Sequence, residues 1–492
     1  MTTSPRASTG MPVTVERAGP VPMAAQIAVQ FRDAVTSGVL GAGQRLPSTR
    51  ELAAVLGVSR TVVTTAYAQL FAEGWLEGRH GSGTYVADGA APGAPVSAGT
   101  VSAIPLPRGR RIPPGEGADH DAPGALIELR PGIPWAAGID AAVWRRAWRY
   151  AGTRPPSAWP DPFGLPGLRA EIAGYLRRAR GLAAAPEQVL VTRGVAGGLA
   201  LLAAAVIRPG DRAGVEEPGY PSARDVLTRA GAVVVPCRVD ADGIVPDELP
   251  GDLRLLYTTP AHQYPLGGRL PVRRRRALTG WARATGAIIV EDDYDSEFRY
   301  DVAPLPSLRS MDPEVVVYLG TTSKMMTPAF GGGWLVAAPE MIATLAGLRA
   351  SLGDRVAEPV QHALLRLLAT GDLERHIRRM RLEYARRRAV IVSALSELDA
   401  GPRDGAGPAA FRLLGETAGL HVVLEFPRGR PAEPVIAAAR QRGLALWPLS
   451  RYFAGPVTGH GLVLGYGGTS LARVRRASAL LRALLRAQPA PR

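Results

Sequence analysis

Val315-Val-Val-Tyr-Leu-Gly320-Thr-Thr-Ser-Lys324 is the stretch on which the reading turns. Its apolar half suits a buried strand, and the small polar residues after Gly320 suit a loop at that strand's carboxyl end. In open α/β sheets such loops hold ligands. The loop ends on Lys324, the one lysine among 58 lysine and arginine residues. Arginine serves for solubility, ion pairing and phosphate contact, but its guanidinium stays protonated and forms no Schiff base at neutral pH. A lone lysine against that background is a candidate for amine chemistry. The competing reading is a leftover surface residue.

Two further strands bring complementary chemistry. Ala287–Val290 runs into Glu291-Asp292-Asp293-Tyr294-Asp295. Carboxylates at a strand end suit a metal ion, or one of them suits a protonated heterocycle nitrogen. Val189–Thr192 runs into Arg193-Gly194-Val-Ala-Gly197-Gly198 and then an apolar helix. Glycines at such a turn let backbone amides approach a phosphate at the helix N-terminus. An amine, an acid and an amide nest together suggest pyridoxal 5'-phosphate. Tyr220, after Glu216-Glu-Pro-Gly, is placed to stack on its ring.

From residue 125 onward short apolar strands, Leu255–Thr258 among them, alternate with helical stretches, which predicts an α/β domain with a mostly parallel sheet. Residues 355–398 read as a long arginine-laced helical segment and 400–487 as a smaller α+β unit. Residues 88–124 are rich in Ala, Pro and Gly without periodicity, and read as a linker. Its Arg108–Arg111 cluster is placed to touch DNA backbone.

The N-terminal part reads differently. Ile27, Phe31 and Val35 recur at helical spacing. Ser48 and Glu51 form a capping-box pattern before a helix that buries Leu52, Val55 and Leu56. Gly57-Val58-Ser59 then turns into a third helix with Val62, Val63, Ala66, Tyr67 and Leu70 inward, and Trp75–Val86 suits a two-stranded wing. This is a winged helix-turn-helix, whose third helix meets base edges with its first residues. Arg50, Ser59, Arg60, Thr61, Arg79 and His80 are the candidate DNA contacts. The charge over residues 1–87 is modest, seven arginines against five acidic residues, and a dimer would double that footprint.

Composition sets the frame. The 492 residues imply two to four domains, and the net charge is +15. The longest apolar run, Leu199–Ile207, is half of what a membrane span needs, and the N-terminus lacks a secretory h-region. A cytoplasmic protein without membrane association is expected. The single cysteine, Cys237, excludes an intramolecular disulfide and a cysteine-built zinc site; it reads as a small buried hydrophobe, and no metal is assigned. The Arg273–Arg276 and Arg386–Arg388 runs read as solvated helix faces, and His421 as a packed histidine.

The run Gly38 to Ala53 with Leu-Pro-Ser-Thr-Arg-Glu-Leu, then Leu56-Gly-Val-Ser-Arg-Thr-Val62, Glu73-Gly-Trp75 and Gly81-Ser-Gly-Thr-Tyr-Val86, resembles the GntR-type winged helix. The second half resembles fold-type-I aminotransferases. Joined, and with Thr259-Pro-Ala-His-Gln-Tyr-Pro265, Glu291–Phe298, Gly371–Arg381 and Ala418-Gly-Leu-His421, they resemble the MocR subfamily of GntR-like regulators over almost the full length. The resemblance implies a winged-helix domain at 20–87, a flexible linker at 88–124, and at 125–490 a fold-type-I α/β domain with a small C-terminal α+β subdomain. It implies a domain-swapped homodimer on double-stranded DNA, regulated by the cofactor or by an amine or amino acid forming an external aldimine.

By the same resemblance Lys324 is the Schiff-base lysine, with Ser323 beside it. Asp292 pairs the pyridine nitrogen, with Glu291 and Asp293 as alternatives. Tyr294 reaches the ring hydroxyl and Tyr220 the ring face; amides near Ala196 and Gly197 hold phosphate, and His262 and Gln263 line the site. Three positions depart from the family pattern. Gly331 stands where a second phosphate ligand, an arginine, is expected. Ala196 and Gly197 replace paired glutamines. Val463 replaces the arginine that grips a substrate carboxylate, with Arg451 a candidate substitute. Losing a charged phosphate ligand costs on the order of 1.5–3 kcal/mol, one to two decades of affinity. Two alternatives stand beside a cofactor-responsive regulator: a working aminotransferase with a DNA-binding appendage, and a cofactor-free dimerisation scaffold.

Overall fold

The computed structural model describes residues 13–79, 83–88, 126–300, 306–399 and 411–487. The chain divides into two compact units between Glu116 and Gly117. The linker read at 88–124, with its arginine cluster, lies outside the described residues except for Asp88, and so does His80.

The first unit holds α1 (Met23–Thr36), β1 (Arg45–Leu46), α2 (Thr49–Leu56), α3 (Arg60–Ala72), β2 (Leu76–Arg79) and β3 (Gly83–Val86). Its core is the apolar face read from the sequence: Ile27, Phe31, Val35, Leu52, Val63 and Leu70 are buried, and Phe31 meets Tyr67 edge-on at 5.8 Å. Val55, Leu56 and Val62 are only half-buried. The capping box is complete: Ser48 Oγ accepts from Glu51 N at 3.2 Å, and Glu51 Oε2 accepts from Ser48 N at 2.8 Å. Ser59 caps α3 in the same way, accepting from Val62 N. The wing has three strands, because β1 pairs antiparallel with β3; two residues carry no periodicity by which to read a strand. Ser48→Ala removes the cap and is expected to lower the stability of this unit by about 1 kcal/mol, measured by denaturant unfolding.

The second unit begins with β4 (Ile127–Glu128), α4 (Ala141–Gly152) and α5 (Pro166–Arg180). A run of alternating elements follows: β5 (Val189–Thr192), α6 (Gly194–Val206), β6 (Arg212–Glu217), α7 (Pro221–Arg229), β7 (Val233–Asp240), β8 (Gly243–Ile244), β9 (Leu253–Thr258) and α8 (Val272–Thr285). Then come β10 (Ile288–Asp293), α9 (Leu308–Met311), β11 (Val316–Thr321) and β12 (Gly333–Val336). The sheet order is β5-β12-β11-β10-β9-β6-β7-β8. β11, β10, β9, β6 and β7 run parallel, while β12 is antiparallel to both its neighbours. β5 and β11 are buried at every residue, as a sheet covered on both faces requires.

The arginine-laced segment is two helices, α10 (Pro339–Leu352) preceding them: α11 (Glu358–Ala369) and α12 (Asp372–Asp399). The break falls at Gly371, whose φ of +67° suits glycine. The smaller unit contains β13 (Arg412–Leu414), β14 (His421–Glu425), α13 (Glu433–Gln441), β15 (Leu444–Ala445), β16 (Trp447–Pro448), β17 (Gly461–Gly465) and α14 (Leu471–Ala487). A four-stranded sheet, β13-β14-β17-β16, carries it. Among the described residues no helix is long and apolar enough to cross a membrane.

Two arginines read as solvated are buried. Arg275 donates to the carbonyls of Leu270, Pro306 and Pro260. Arg387 lies over the Trp135 ring at 4.3 Å and donates to Gly467 O at 2.7 Å. Both satisfy loop carbonyls that no neighbouring strand reaches, a role invisible in a run of like residues.

Candidate functional site

The carboxyl ends of β5, β10 and β11 carry the chemistry. Lys324 follows β11 directly, half-buried, and its Nζ donates to Gly132 O at 2.6 Å. Burial pushes its ammonium pKa down, and the charges of Asp295 and Asp292 push it back up. A lowered pKa raises the fraction of free amine, the nucleophilic form. Gly132 has a φ of +75°, and a Cβ there would stand 2.9 Å from Lys324 Nζ. Only glycine leaves the amine its room.

β10 extends through Asp293, three residues beyond the sequence reading, so the carboxylates lie on a strand and point to alternate faces. That alternation separates their roles. Glu291 accepts from the backbone N–H of Leu308 and Arg309, at 2.8 and 3.0 Å, and so caps α9. Asp293 accepts from Arg180 Nε and Tyr318 OH, both at 2.6 Å, and from Ser296. Asp292 faces the other way. Its Oδ2 accepts from Tyr257 OH, and its Oδ1 is buried with no hydrogen-bond partner. Burial raises its pKa to about 8, Tyr257 and Lys324 pulling in the other direction. A buried, unsatisfied carboxylate oxygen is costly unless a donor arrives. No group of three metal-ligating side chains exists among the described residues.

Around these lie aromatic rings. Tyr220 is half-buried and stacks on Tyr257, centroids 6.4 Å apart. Tyr264 stands edge-on to Tyr220, Tyr294 and Tyr452. Tyr294 OH lies 2.9 Å from His262 Nδ1, and that nitrogen lies 2.9 Å from Asp295 Oδ2. His262 Nε2 is buried and without a hydrogen-bond partner.

Gln263, read as lining the site, is held by the loop around it. Its amide nitrogen donates to Glu216 Oε2 and to the carbonyls of Pro218 and Tyr264, and its oxygen accepts from Leu266 N. With every polar group engaged, it braces the loop that presents His262. His421 packs as read, 2.9 Å from Pro265 O.

On the third strand end, α6 begins at Gly194, so its first amides, including those of Ala196 and Gly197, point out of the helix N-terminus. A Cβ on Gly194 would stand 3.3 Å from Thr321 Oγ1 and 3.8 Å from Ser323 Oγ. This helix start therefore adjoins the hydroxyls of the Lys324 loop, and its bare backbone forms a cradle for an anion. Gly331 caps a short turn with φ +65°, and nothing lies within 4 Å of where its Cβ would be. Val463 is buried on β17 against Val423, Leu449 and Tyr452. Arg451 lies exposed on the turn 449–452.

An inward amine, a carboxylate oxygen awaiting a donor, stacked rings and an amide cradle fit a phosphorylated pyridine aldehyde in charge and hydrogen bonding. Gly132, Tyr257 and Asp295 were not singled out from the sequence. Gly132 lies 192 positions from Lys324, and Tyr257 meets Asp292 only because β9 pairs beside β10.

In the first unit Arg50, Ser59, Arg60 and Thr61 are exposed. Arg60 Nε donates to Thr49 Oγ1 at 3.3 Å, which brings the starts of α2 and α3 together. Arg79 pairs with Glu77 at 2.9 Å and lies over the Tyr85 ring, so it braces the wing as well as presenting charge.

Comparison with known proteins assigns the same two halves. Residues 23–86 match the family of bacterial regulatory proteins, gntR family, and residues 141–427 match aminotransferase class I and II. The chain is 39% identical to the HTH-type pyridoxine biosynthesis transcriptional regulator PdxR of Corynebacterium glutamicum, over 93% of this chain and 94% of that one. It is 35% identical to the probable rhizopine catabolism regulatory protein MocR of Rhizobium meliloti, over 93% and 92%. Among solved structures, an archaeal alanine:glyoxylate aminotransferase superposes with a TM-score of 0.67 at 25% identity, covering 73% of this chain and 91% of that one. A winged helix-turn-helix followed by an aminotransferase fold, matched almost end to end by regulators of that build, places this chain in the MocR-type subfamily of GntR transcription regulators.

Proposed function

We propose that this regulator binds pyridoxal phosphate at Lys324 and Asp292, and that occupancy by the cofactor, or by an amine or amino acid reacting with it, sets its affinity for operator DNA. The observation that carries the reading is the division of labour along β10. Of three consecutive carboxylates, two are fully engaged in the fold, while Asp292 keeps one buried oxygen free. When bound, pyridoxal phosphate supplies an aldehyde carbon electrophilic toward primary amines. Lys324 supplies the resident amine, and Asp292 Oδ1 accepts from the ring nitrogen. Tyr220 and Tyr257 offer a ring face, Tyr294 and His262 the ring hydroxyl's partners, and the start of α6 with Ser323 the phosphate cradle.

The DNA-binding unit spans 20–87, the linker 88–124 and the effector unit 125–490. Arg50, Ser59, Arg60 and Thr61 meet DNA, with Arg79 and His80 at the wing. A domain-swapped homodimer in the cytoplasm presents two such units. Val463, buried among apolar side chains, argues against a working aminotransferase, because an ungripped carboxylate forfeits positioning.

The test is fluorescence anisotropy of a labelled fragment of the DNA upstream of the regulator's own gene, at fixed salt. Pyridoxal phosphate is expected to shift the apparent Kd at least threefold in one direction, at the concentration where a visible absorption band saturates. A protein that binds DNA identically with and without the cofactor, and shows no band, would be a scaffold instead.

A further inference from the structure

We propose that Arg193 is the cation that holds the cofactor's phosphate, exchanging its present partner Asp354 for the phosphate when the ligand arrives. The inference rests on the cofactor reading above. A phosphate monoester brings close to two negative charges, and the cradle described so far offers backbone amides and hydroxyls. The loop from Thr322 to Gly333 contributes no cation besides Lys324, whose amine is turned onto Gly132, and Gly331 carries no side chain. The first turn of α6, Gly194 to Gly197, contributes none either.

Arg193 is the N-cap of that helix. A Cβ on Gly197 would stand 3.1 Å from Arg193 Cβ, so glycine there leaves that side chain room at its root. The side chain is 60% exposed, and its Nη2 lies 2.6 Å from Asp354 Oδ1. That contact is a charge contact without hydrogen-bond alignment, since Asp354 Oδ1 has no hydrogen-bond partner. The pair is part-exposed, 60% at Arg193 and 21% at Asp354, and a single unaligned contact is weaker than an arginine fork on a phosphate, which makes two aligned, charge-assisted bonds. Asp354 thus holds the guanidinium of the residue that caps the cradle's helix, and a phosphate competes for it.

The experiment is a visible-absorption titration of the full-length protein with pyridoxal phosphate and, separately, with pyridoxal, which lacks the phosphate. Wild type, Arg193→Ala and Asp354→Asn are compared, with thermal melts to establish folding. Arg193→Ala is expected to raise the Kd for pyridoxal phosphate about ten- to a hundredfold and to move that for pyridoxal less than twofold. Asp354→Asn is expected to tighten pyridoxal phosphate severalfold. Equal losses for both aldehydes, or no loss for either, would overturn the assignment. Unchanged or weaker binding in a folded Asp354→Asn would overturn the exchange. A wild type that gives no band with either aldehyde would instead remove the cofactor reading itself.

Discussion

Lys324→Ala is expected to abolish the visible band formed with pyridoxal phosphate, completely rather than in part. The sequence makes this sharper than in most proteins: no other side chain in the 492 residues is a primary amine. Background condensation on surface lysines is therefore absent, and any residual signal reports the chain's N-terminus alone. Retention of the cofactor is expected to fall about a hundredfold, or roughly 3 kcal/mol, because phosphate and ring contacts remain while the covalent link is lost. Alanine also frees Gly132 O from its 2.6 Å partner, and that carbonyl can turn to water, so folding is preserved. Added methylamine supplies the missing amine from solution and is expected to restore a band. Absorption spectra with and without methylamine check both halves. A band that survives without added amine would show that Lys324 is not the reacting group.

The second large effect is on stability. Arg180 and Asp293 form an ion pair with 2.5 Å between Nη2 and Oδ2, their side chains 2% and 1% exposed. Tyr318 OH donates to the same carboxylate at 2.6 Å, and Tyr175 OH donates to Glu297 at 2.8 Å nearby. Burial and the charge of Asp293 raise the Glu297 pKa to about 7, and Arg180 opposes the shift. Removing Arg180 leaves Asp293 buried without its counter-charge. Arg180→Ala is expected to cost about 3–5 kcal/mol, measured by chemical denaturation. Adding Asp293→Asn is expected to recover a large part of that loss, because the residual charge is what destabilises. Independent, additive losses in the double variant would mean that the pair does not act as a unit.

The sign of the pH dependence follows from Glu297. Its folded pKa is raised, so folding favours its protonated form. This contribution is present in full below the ordinary glutamate value and is lost as pH rises through about 7.

Much of this was legible in the chain itself. The capping box of α2, the Ser59 cap of α3 and most of the periodic apolar faces of the winged helix depend on neighbours three and four residues away, and they appear in the structure as read, with Val55, Leu56 and Val62 half-buried. The strand-loop-lysine stretch and the glycine turn before α6 are equally local. Local signals failed at two places. The strand β1 was too short to show a period, and Arg275 and Arg387, set in arginine runs, are buried.

The sequence by itself determined which residues have the chemistry: one amine, an acidic run, a glycine turn, and a helix-turn-helix to address DNA. Residue type and short-range spacing carry that information. Which acid is free and which carbonyl holds the amine were decided only by tertiary structure. Asp292 is free because strand alternation turns its neighbours onto Arg180 and α9, and Gly132 meets Lys324 across 192 positions of chain. Sheet order and strand facing are set by burial summed over the whole domain, and no local window of sequence contains that sum.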